Sequence, residues 1–526
     1  MKKLFICFLV LTSAVALAAC GKDKKTTKTT TTTGTTTVEK VINADLYVSP
    51  TGSDENEGTQ ESPLNLQKAI MLLQPGKTIY LLPGEYKFST RINIPEANGG
   101  TPNAYKTLKP YSDRVELNFG LQTPSGSNCG IRLDADYWKI ESIDISNAKD
   151  NGLFITGSYN IIDDCTFFNN GDTGCQLGRA SSGQNEPLDE HWPSYNQILN
   201  CSSFNNADTT GENADGFACK LTTGPGNVFD GCMAFNNIDD GWDLFTKDLN
   251  RPEPGQGKIY PVTIKNCVAF NNGFTIVKNN GVNIAYATSE SDGNGFKLGG
   301  DDVEVAHYVE NCIAFNNIAH GFTDNSNPGT ISLVNCTSFD NGIGNILDFP
   351  VYSRTFVEVD DETQELIFNY TANTLSTYGN KNNFDLARHK PGATSRYDST
   401  KYITSNNVFS GCLSLNNRAK TNDAYRGNAK YSLFATSSGW NYYQVVNICD
   451  SAIEAYAGLE AAGIDRNSLF VSITVPDVFQ DSVRNNLHKS WRNDDGSINM
   501  GDFLKVNQSA LTALFGEVKI GANLHN

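Results

Sequence analysis

The 526-residue sequence predicts an all-β fold, a right-handed parallel β-helix, from two repeating patterns. A six-residue pattern of the form Cys-x-x-Phe-Asn-Asn recurs between residues 165 and 417, with Asp or Leu replacing single positions in two copies. A glycine, in most cases followed by an apolar residue, recurs between those copies. Near-constant repeats of short strand-like segments without intervening helices are typical of stacked coils. A β-propeller is the alternative, but its repeats are longer and antiparallel.

The first pattern predicts a ladder of equivalent turns. Its copies begin at Cys165, Cys201, Cys232, Cys267, Cys312, Cys336 and Cys412. Asn accepts the left-handed backbone and can hydrogen-bond along a stack, so an Asn-Asn turn suits every coil. The same pattern explains most of the 13 cysteines as small stacked core residues and not as disulfides. An occasional bridge remains open for the cysteines outside it and outside the leader, namely Cys129, Cys175, Cys219 and Cys449.

The glycines set the length of a coil and reveal insertions. Several intervals between them span 22 to 26 residues, as from Gly152 to Gly174 and from Gly295 to Gly321. Two intervals are longer but contain one Cys pattern each, so each is one coil with surface insertions. These insertions are expected at 178–196, 247–260 and 275–291. Residues 350–400 also interrupt the repeat and predict a long loop, and long loops on a regular scaffold are commonly functional.

The chain is predicted to contain four segments. They are a signal peptide at 1–19, a lipidated Thr-rich tether at 20–42, the β-helix domain at 43–450, and a C-terminal helix with a capping tail at 451–526. Apolar residues at helical spacing from Leu66 to Leu73 predict a short helix, before the first strands, that covers the open N-terminal end of the coils. Residues Asp450 to Gly463 predict a helix in the tail, which we expect to pack along or cap the solenoid.

The first 20 residues are typical of a targeting segment. Lys2 and Lys3 precede an apolar run that ends in Leu-Ala-Ala-Cys at Cys20. The run is too short for a membrane span. Leu-Ala-Ala-Cys resembles the lipobox of bacterial lipoproteins, which implies cleavage before Cys20, lipidation of its thiol and an exported, outer-membrane lipoprotein. A plain secretory signal with an incidental cysteine is the alternative, and the membrane face stays open.

The net charge of −17 argues against a nucleic-acid partner, because the chain has no overall basic character. The same charge opposes an acidic substrate unless a divalent cation compensates it locally. No Cys-x-x-Cys pair or His cluster indicates zinc.

Five residues are expected to form one site when the turn glycines are taken as a common reference. Asp215 and Asp240 precede their glycines, Asp239 lies beside Asp240, and Asp243 and Lys297 both lie two positions after theirs. Stacking in register would bring them together on consecutive coils. Four close carboxylates require a cation, and oxygen ligands suit Ca²⁺. Ordinary Asp turn residues and a structural Lys297–Asp243 salt bridge are the alternatives.

Three segments then resemble a known family. The sequences Ala-Asp-Gly-Phe at 214–217, Asp-Asp-Gly-Trp-Asp-Leu-Phe at 239–245 and Gly-Asn-Gly-Phe-Lys-Leu-Gly-Gly at 293–300 are similar to the catalytic segments of polysaccharide lyase family 9. The resemblance covers most of residues 45–450. It implies Ca²⁺ held by Asp215, Asp239, Asp240 and Asp243, with Lys297 as Brønsted base.

The implied reaction is β-elimination at a galacturonate of a pectic polysaccharide, which leaves a 4,5-unsaturated end. Removing the weakly acidic C5 proton calls for a cation on the carboxylate and a base that can be neutral. Homogalacturonan and rhamnogalacturonan I both stay open as substrates. Lys220, Lys247, Arg251 and Arg179 are candidates for pairing with neighbouring uronates, whereas Trp242 is expected in the core.

Two other functions remain open. A non-catalytic glycan-binding lipoprotein would keep the solenoid but would not need Lys297 in register. A glycoside hydrolase would need two carboxylates as acid and base or nucleophile, and would release saturated products. A monomer is expected in each case.

Overall fold

The structure, a computed structural model, describes most of the chain after residue 42. The described residues are 43–124, 128–180, 192–246, 259–301, 303–342, 350–360, 366–373, 381–386, 407–415, 424–425, 427–436, 439–447, 465–474 and 487–525. They belong to one compact unit, Asn43–Asn526. Cys20, Lys247, Arg251 and the tail helix expected from Asp450 to Gly463 lie outside these residues, so those predictions stay predictions.

The fold is a parallel β-helix, as predicted, whose coils contribute strands to three columns. One column is a ten-stranded parallel sheet, here called the site sheet. Its strands are Ile92–Ile94, Ile131–Leu133, Leu153–Ile155, Cys175–Leu177, Phe217–Cys219, Trp242–Asp243, Phe296–Lys297, Phe322–Thr323, Phe384–Leu386 and Ala424–Tyr425.

The other two columns complete the coils. The strands of one are Leu46–Val48, Thr78–Leu81, Lys106–Pro110, Trp138–Glu141, Ile161–Asp163, Gln197–Leu199, Val228–Asp230, Thr263–Lys265, Tyr308–Glu310, Ser332–Val334, Asn407–Ser410 and Gly427–Thr436. Those of the other are Tyr86–Lys87, Val115–Asn118, Ile143–Ser146, Thr166–Phe168, Ser202–Phe204, Met233–Phe235, Val268–Phe270, Ile313–Phe315, Thr337–Phe339 and Leu413–Leu415. An antiparallel strand, Gly439–Asn447, pairs with Gly427–Thr436.

The predicted turn ladder is present over the first six copies of the pattern, from Asn170 to Asn341. The second Asn of each of the first five copies hydrogen-bonds its equivalent on the next coil, as when Asn237 Nδ2 donates to Asn272 Oδ1 at 3.0 Å. The first Asn is left-handed, with φ of 54° at Asn236 and 53° at Asn271. Every cysteine among the described residues is free and buried, which confirms that the patterned cysteines pack in the core.

Aromatic side chains stack inside the coils behind the site sheet. The ring of Trp242 lies 5.0 Å from that of Phe217 and 4.7 Å from that of Phe296, and Phe296 continues the stack to Phe322 at 4.7 Å. All four side chains are fully buried. Trp242 is therefore a core residue, as predicted, and the stack fixes the spacing of the strands that carry the site.

The coils begin before the first copy of the Cys pattern, within the β-helix domain predicted at 43–450. Parallel pairing starts at Leu46–Val48, because aliphatic residues such as Ile79 and Leu108 fill the early core without the Cys pattern. The capping helix Leu66–Leu72 forms, but after this first strand and not before it. Gln67 exchanges two hydrogen bonds of 2.9 Å with the backbone of Asn93, in the edge strand of the site sheet. The helix thus satisfies backbone groups that an open edge would expose.

Two insertions form a small sheet of their own, here called the inserted sheet. Strands Thr275–Asn279 and Val282–Tyr286 pair with each other, and Val282–Tyr286 also pairs with Val351–Val359, which in turn pairs with Leu366–Asn373. The prediction of a long loop at 350–400 is therefore wrong for Val351–Val359 and Leu366–Asn373, which are strands. Sequence alone could not show this, because their partner lies more than 60 residues earlier.

The described C-terminal residues pack against the coils. They include helices Leu487–Ser490 and Gln508–Phe515 and the 3₁₀ turn Arg466–Leu469, and another 3₁₀ turn occupies Glu96–Asn98 near the N-terminus. The ring of Phe503 lies 4.9 Å from that of Phe315, and Arg492 donates to the Cys201 and Gly231 carbonyls at 2.9 and 2.8 Å. No helix among the described residues is both long and apolar enough to cross a membrane.

Candidate active site

The site sheet stacks in the register that the glycines predicted. Ala218 is the pairing partner of Asp243, Asp243 that of Lys297, and Lys297 that of Thr323. A residue two positions after one turn glycine therefore lies directly beside its equivalent on the next coil, about 4.8 Å away. Side chains distant in sequence thus meet in one place.

Three of the four predicted metal ligands form one carboxylate cluster. Asp215, Asp239 and Asp240 each present an oxygen within 4.8 Å of the others, and all three are buried. Asp215 and Asp240 precede their glycines on adjacent coils, as expected. The cluster is therefore assembled by stacking and not by one local loop.

A ladder of hydrogen bonds orients these carboxylates. Asp215 Oδ1 accepts from the backbone N of Asp240 at 3.2 Å, and Asp240 Oδ1 accepts from the backbone N and the Nδ2 of Asn294 at 2.7 and 2.9 Å. Asn294 Oδ1 continues the ladder by accepting from the backbone N of His320 at 3.2 Å. Each of these side chains thus uses one oxygen to accept hydrogen bonds from the next coil. Asp215 Oδ2 accepts from Lys220 Nζ, whereas Asp240 Oδ2 accepts no hydrogen bond from the described residues.

The second oxygen of Asp240 makes the cluster a candidate cation site. Asp240 Oδ2 is buried and accepts no hydrogen bond from the described residues, although Lys297 Nζ forms an ion pair with it at 3.1 Å. A buried carboxylate oxygen without a hydrogen bond is unusual and costly. Several carboxylate oxygens converging without imidazole or thiolate match the ligands that Ca²⁺ prefers. The residues present therefore fit a hard divalent cation.

Asp243 lies beside this cluster and contacts lysines. Its Oδ2 forms an ion pair with Lys220 Nζ at 3.1 Å, and its Oδ1 lies 4.0 Å from Lys297 Nζ. Oδ1 also accepts from the backbone N of Phe245 at 2.9 Å. The structure thus brings three predicted ligands together and places the fourth next to them. Asp243 as a ligand stays a prediction.

Lys297 is held by carboxylates on several sides. Its Nζ lies 2.9 Å from Asp292 Oδ2 and 3.1 Å from Asp240 Oδ2. Burial lowers the pKa of Lys297, but Asp240, Asp243, Asp292 and Asp239 outweigh burial and raise that pKa well above its usual value. Without a cation the side chain is therefore a protonated ammonium. Lys297 would have the low pKa expected of a base only when a cation compensates the negative charge of these carboxylates.

Lys220 belongs to the same charged cluster. Its Nζ donates to Asp215 Oδ2 at 2.7 Å and its side chain is only 10% exposed. To make the predicted contact with a substrate uronate, Lys220 would have to break its hydrogen bond to Asp215. Lys247 and Arg251 lie outside the described residues, and their predicted contacts stay predictions.

The buried carboxylates have raised pKa values. Burial is the main cause at Asp215, with a pKa of about 7, and at Asp240, with a pKa of about 8, and Lys220 or Lys297 offsets it only in part. Burial and then Asp240 raise the pKa of Asp239. The cluster is therefore costly to ionise without added positive charge.

Three contributing residues were missed from the sequence. Thr173 Oγ1 donates to Asp215 Oδ2 at 3.1 Å, Asn294 fixes Asp240, and Asp292 pairs with Lys297. Thr173 and Asn294 precede turn glycines, so the same register contained the signal for both. Asp292 follows an insertion, where the repeat gives no register.

A polar groove extends from the cluster over the preceding coils. A cavity of about 420 Å³ is lined by Lys220, Asp150, Asp172 and three arginines, Arg91, Arg132 and Arg179. Arg132 Nε forms an ion pair with Asp134 at 2.8 Å and its guanidinium lies over the Phe154 ring at 5.1 Å. The groove therefore offers fixed positive charge next to the carboxylates.

Converging carboxylates and a buried lysine thus lie on adjacent coils of this parallel β-helix. Comparison with known proteins identifies the family that has this fold. The chain belongs to the family described as "Pel9A-like, right handed beta helix region", whose model matches residues 46–383. This confirms the family resemblance and the right-handed β-helix expected from sequence.

The chain is also similar to named pectate lyases. The chain is 45% identical over 303 residues to Pectate lyase L of Paenibacillus polymyxa, with 57% of this chain and 64% of that protein covered. It is 43% identical over 312 residues to Pectate lyase L of Thermoclostridium stercorarium, with 59% and 23% covered. It is 35% identical over 325 residues to Pectate lyase PEL9 of Emericella nidulans, with 57% and 74% covered. The matches thus span less than two thirds of the first two relatives.

Two solved structures share the fold. The crystal structure of pectate lyase Pel9A matches with a TM-score of 0.56 at 22% identity, covering 88% of this chain and 89% of that one. A rhamnogalacturonan lyase matches with a TM-score of 0.55 at 19% identity, covering 91% and 99%. At these identities the likeness concerns the fold alone.

Proposed function

We propose that this protein is a Ca²⁺-dependent polysaccharide lyase that cleaves a galacturonate-containing pectin backbone by β-elimination. The observation that carries the proposal is the 3.1 Å approach of Lys297 Nζ to Asp240 Oδ2, the oxygen without a hydrogen bond in the carboxylate cluster. A candidate base thus lies against a candidate cation site. The pectate lyase names of the relatives support the same class.

The reaction removes the C5 proton of a uronate and expels the sugar linked at C4, which leaves a 4,5-unsaturated end. Asp215, Asp239 and Asp240 would hold Ca²⁺, with Asp243 beside them. When bound, the ion would stabilise the negative charge that develops on the substrate carboxylate. An acidic protein could then bind a polyanion at this one place.

Lys297 is assigned the role of base. In the cation-free site the carboxylates keep Lys297 protonated. Lys297 can therefore accept a proton only when a bound cation compensates the carboxylate charge. Asp292, which is about half exposed, holds the ammonium from the solvent side and can release it as substrate enters. The arginines that line the groove would pair with uronates on neighbouring sugars.

The test is an assay on polygalacturonate and on rhamnogalacturonan I, with Ca²⁺ and with excess chelator. The proposal expects ultraviolet-absorbing unsaturated products that chelator abolishes and Ca²⁺ restores. Saturated products would indicate a hydrolase, and binding without cleavage would indicate a glycan-binding protein. The choice between the two polymers follows from the same assay.

The localisation proposed is an outer-membrane lipoprotein anchored through Cys20. The lipobox resemblance of Leu-Ala-Ala-Cys supports it. Metabolic labelling with a fatty acid should tag the wild-type protein and not a Cys20→Ser variant. Equal labelling of both would exclude the anchor.

A further inference from the structure

Asp292 is an exposed carboxylate that contacts two parts of the candidate active site. Its Oδ2 lies 2.9 Å from Lys297 Nζ, and its backbone N donates to Asp239 Oδ1 at 2.6 Å. The Asp292 side chain is 53% exposed, whereas that of Lys297 is only 9% exposed. Asp292 therefore connects the buried lysine to solvent from a position beside the cluster of Asp215, Asp239 and Asp240.

The segment that precedes Asp292 is held by the inserted sheet and by the coils. The backbone N of Ala287 donates to the carbonyl of Tyr352, in the inserted sheet, at 3.2 Å. Thr288 Oγ1 donates to the carbonyl of Thr210, in a turn of the coils, at 2.6 Å. The inserted sheet thus fixes the chain that leads to Asp292, which gives this insertion a place in the site.

The residue that follows Asp292 is fixed as well. Gly293 has a φ of 72°, and a Cβ at this position would lie 2.8 Å from the Cα of Gly273. A side chain does not fit such a close approach of two backbones. The Gly293 carbonyl also accepts from the backbone N of Ala319 at 2.8 Å. The chain is therefore held on both sides of Asp292, and its carboxylate stays within reach of Lys297.

A divalent cation and Lys297 would compete for the same oxygen. Asp240 Oδ2 lies 3.1 Å from Lys297 Nζ and belongs to the carboxylate cluster that fits the cation. An ammonium and a divalent cation repel each other at contact distance. Binding of the cation to Asp240 would therefore separate Lys297 from it. A buried ammonium is costly without another carboxylate to pair with.

Asp292 is the carboxylate best placed to keep this ammonium. Asp243 Oδ1 is farther from Lys297 Nζ, at 4.0 Å, and already accepts from the backbone N of Phe245. We propose that Asp292 is a positioning residue that retains the Lys297 ammonium when a divalent cation takes Asp240 Oδ2. This inference rests on the Ca²⁺ site of the proposed function and not on the polymer or its cleavage.

The direct test is calorimetric titration of the full chain with Ca²⁺ in the absence of substrate. Asp292→Asn removes the charge at an exposed position, and Asp292→Glu keeps a carboxylate there. Glu290→Gln is the matched control, because it makes the same change of charge at an exposed residue of the same segment. Glu290 Oε1 accepts from Ser289 Oγ at 3.2 Å.

Ca²⁺ binding should weaken about fivefold or more in Asp292→Asn and less than about twofold in Glu290→Gln, and Asp292→Glu should lie closer to wild type than Asp292→Asn. Because Asp292 acts through Lys297, Asp292→Asn should change Ca²⁺ binding by less than about twofold in a Lys297→Ala background. Equal weakening in both backgrounds would mean that Asp292 acts on the cation directly and would overturn the inference. Unchanged Ca²⁺ binding in Asp292→Asn, or no Ca²⁺ binding to the wild type, would overturn it as well.

A second measurement is the initial rate as a function of Ca²⁺ concentration on the polymer that the wild type cleaves. Asp292→Asn should raise the Ca²⁺ concentration that gives half the maximal rate by about fivefold, and Glu290→Gln should not. An unchanged half-maximal concentration in Asp292→Asn would overturn the inference and leave the lyase assignment intact. If the wild type binds Ca²⁺ but cleaves neither polymer, the lyase assignment fails, and the titration still decides the role of Asp292.

Discussion

Asn294 donates two hydrogen bonds to one oxygen of Asp240, from its backbone N at 2.7 Å and its Nδ2 at 2.9 Å. Both residues precede a turn glycine on adjacent coils. The pair therefore links the repeat directly to the carboxylate cluster, because the next coil fixes Asp240 and leaves Oδ2 facing the site.

Asn294→Ala should weaken Ca²⁺ binding about tenfold, since groups that orient a metal ligand commonly contribute that much. Isothermal titration with Ca²⁺ measures it without any substrate. Asn151→Ala is a matched control, because Asn151 holds the same position before Gly152 on a coil away from the cluster. Equal weakening in both variants would show a general effect on the coils and not on Asp240.

The raised carboxylate pKa values predict how stability depends on pH. Unfolded aspartates titrate near about 4, whereas Asp215 and Asp240 titrate at about 7 and about 8 in the cation-free fold. Between these values the folded state binds protons that the unfolded state has released. The free energy of unfolding without Ca²⁺ should therefore fall as pH rises from about 5 to about 8.

Ca²⁺ binds the ionised carboxylates, so its stabilising effect should grow over the same pH range. The measurement is the unfolding temperature in chelator and in saturating Ca²⁺ at several pH values. Asp240→Asn removes one titrating group and should flatten the dependence. A difference in unfolding temperature that stays constant with pH would contradict the proposed origin of the shifts.

The aromatic stack behind the site sheet predicts a large stability effect. Phe296 is fully buried between Trp242 and Phe322, so Phe296→Ala should lower the free energy of unfolding by about 3–5 kcal/mol. Phe356→Ala, at a ring that is 53% exposed, should change it by less than about 0.5 kcal/mol. Denaturant unfolding compares the two, and similar losses would show that the stack contributes no special stability.

The sequence predicted the parts of this molecule that repeat. The turn glycines placed Asp243 beside Lys297 and Asp215 near Asp240 because stacking preserves register along the coils. The Cys and Asn ladders followed for the same reason. Asn294 precedes Gly295 in the same register, so its position beside Asp240 also follows from the repeat.

Features outside the repeat were not predictable in this way. Pairing of Val282–Tyr286 with Val351–Val359 depends on distant chain segments, and no periodic signal joins them. Asp292 enters the site at the end of an insertion. The burial of Lys220 against Asp215 depends on three-dimensional packing, whereas the sequence suggested only a charged residue near the site.

The assignment of Lys297 as the base is the central claim, and one variant tests it most directly. Lys297→Ala should lower turnover on the polymer that the wild type cleaves by about a thousandfold at saturating Ca²⁺. Its Ca²⁺ and substrate affinities should stay within a few fold, because the carboxylate cluster and the groove remain. Lys220→Ala removes the second lysine that contacts the carboxylates of the site and should keep far more turnover than Lys297→Ala. A Lys297→Ala enzyme with wild-type turnover would contradict the account.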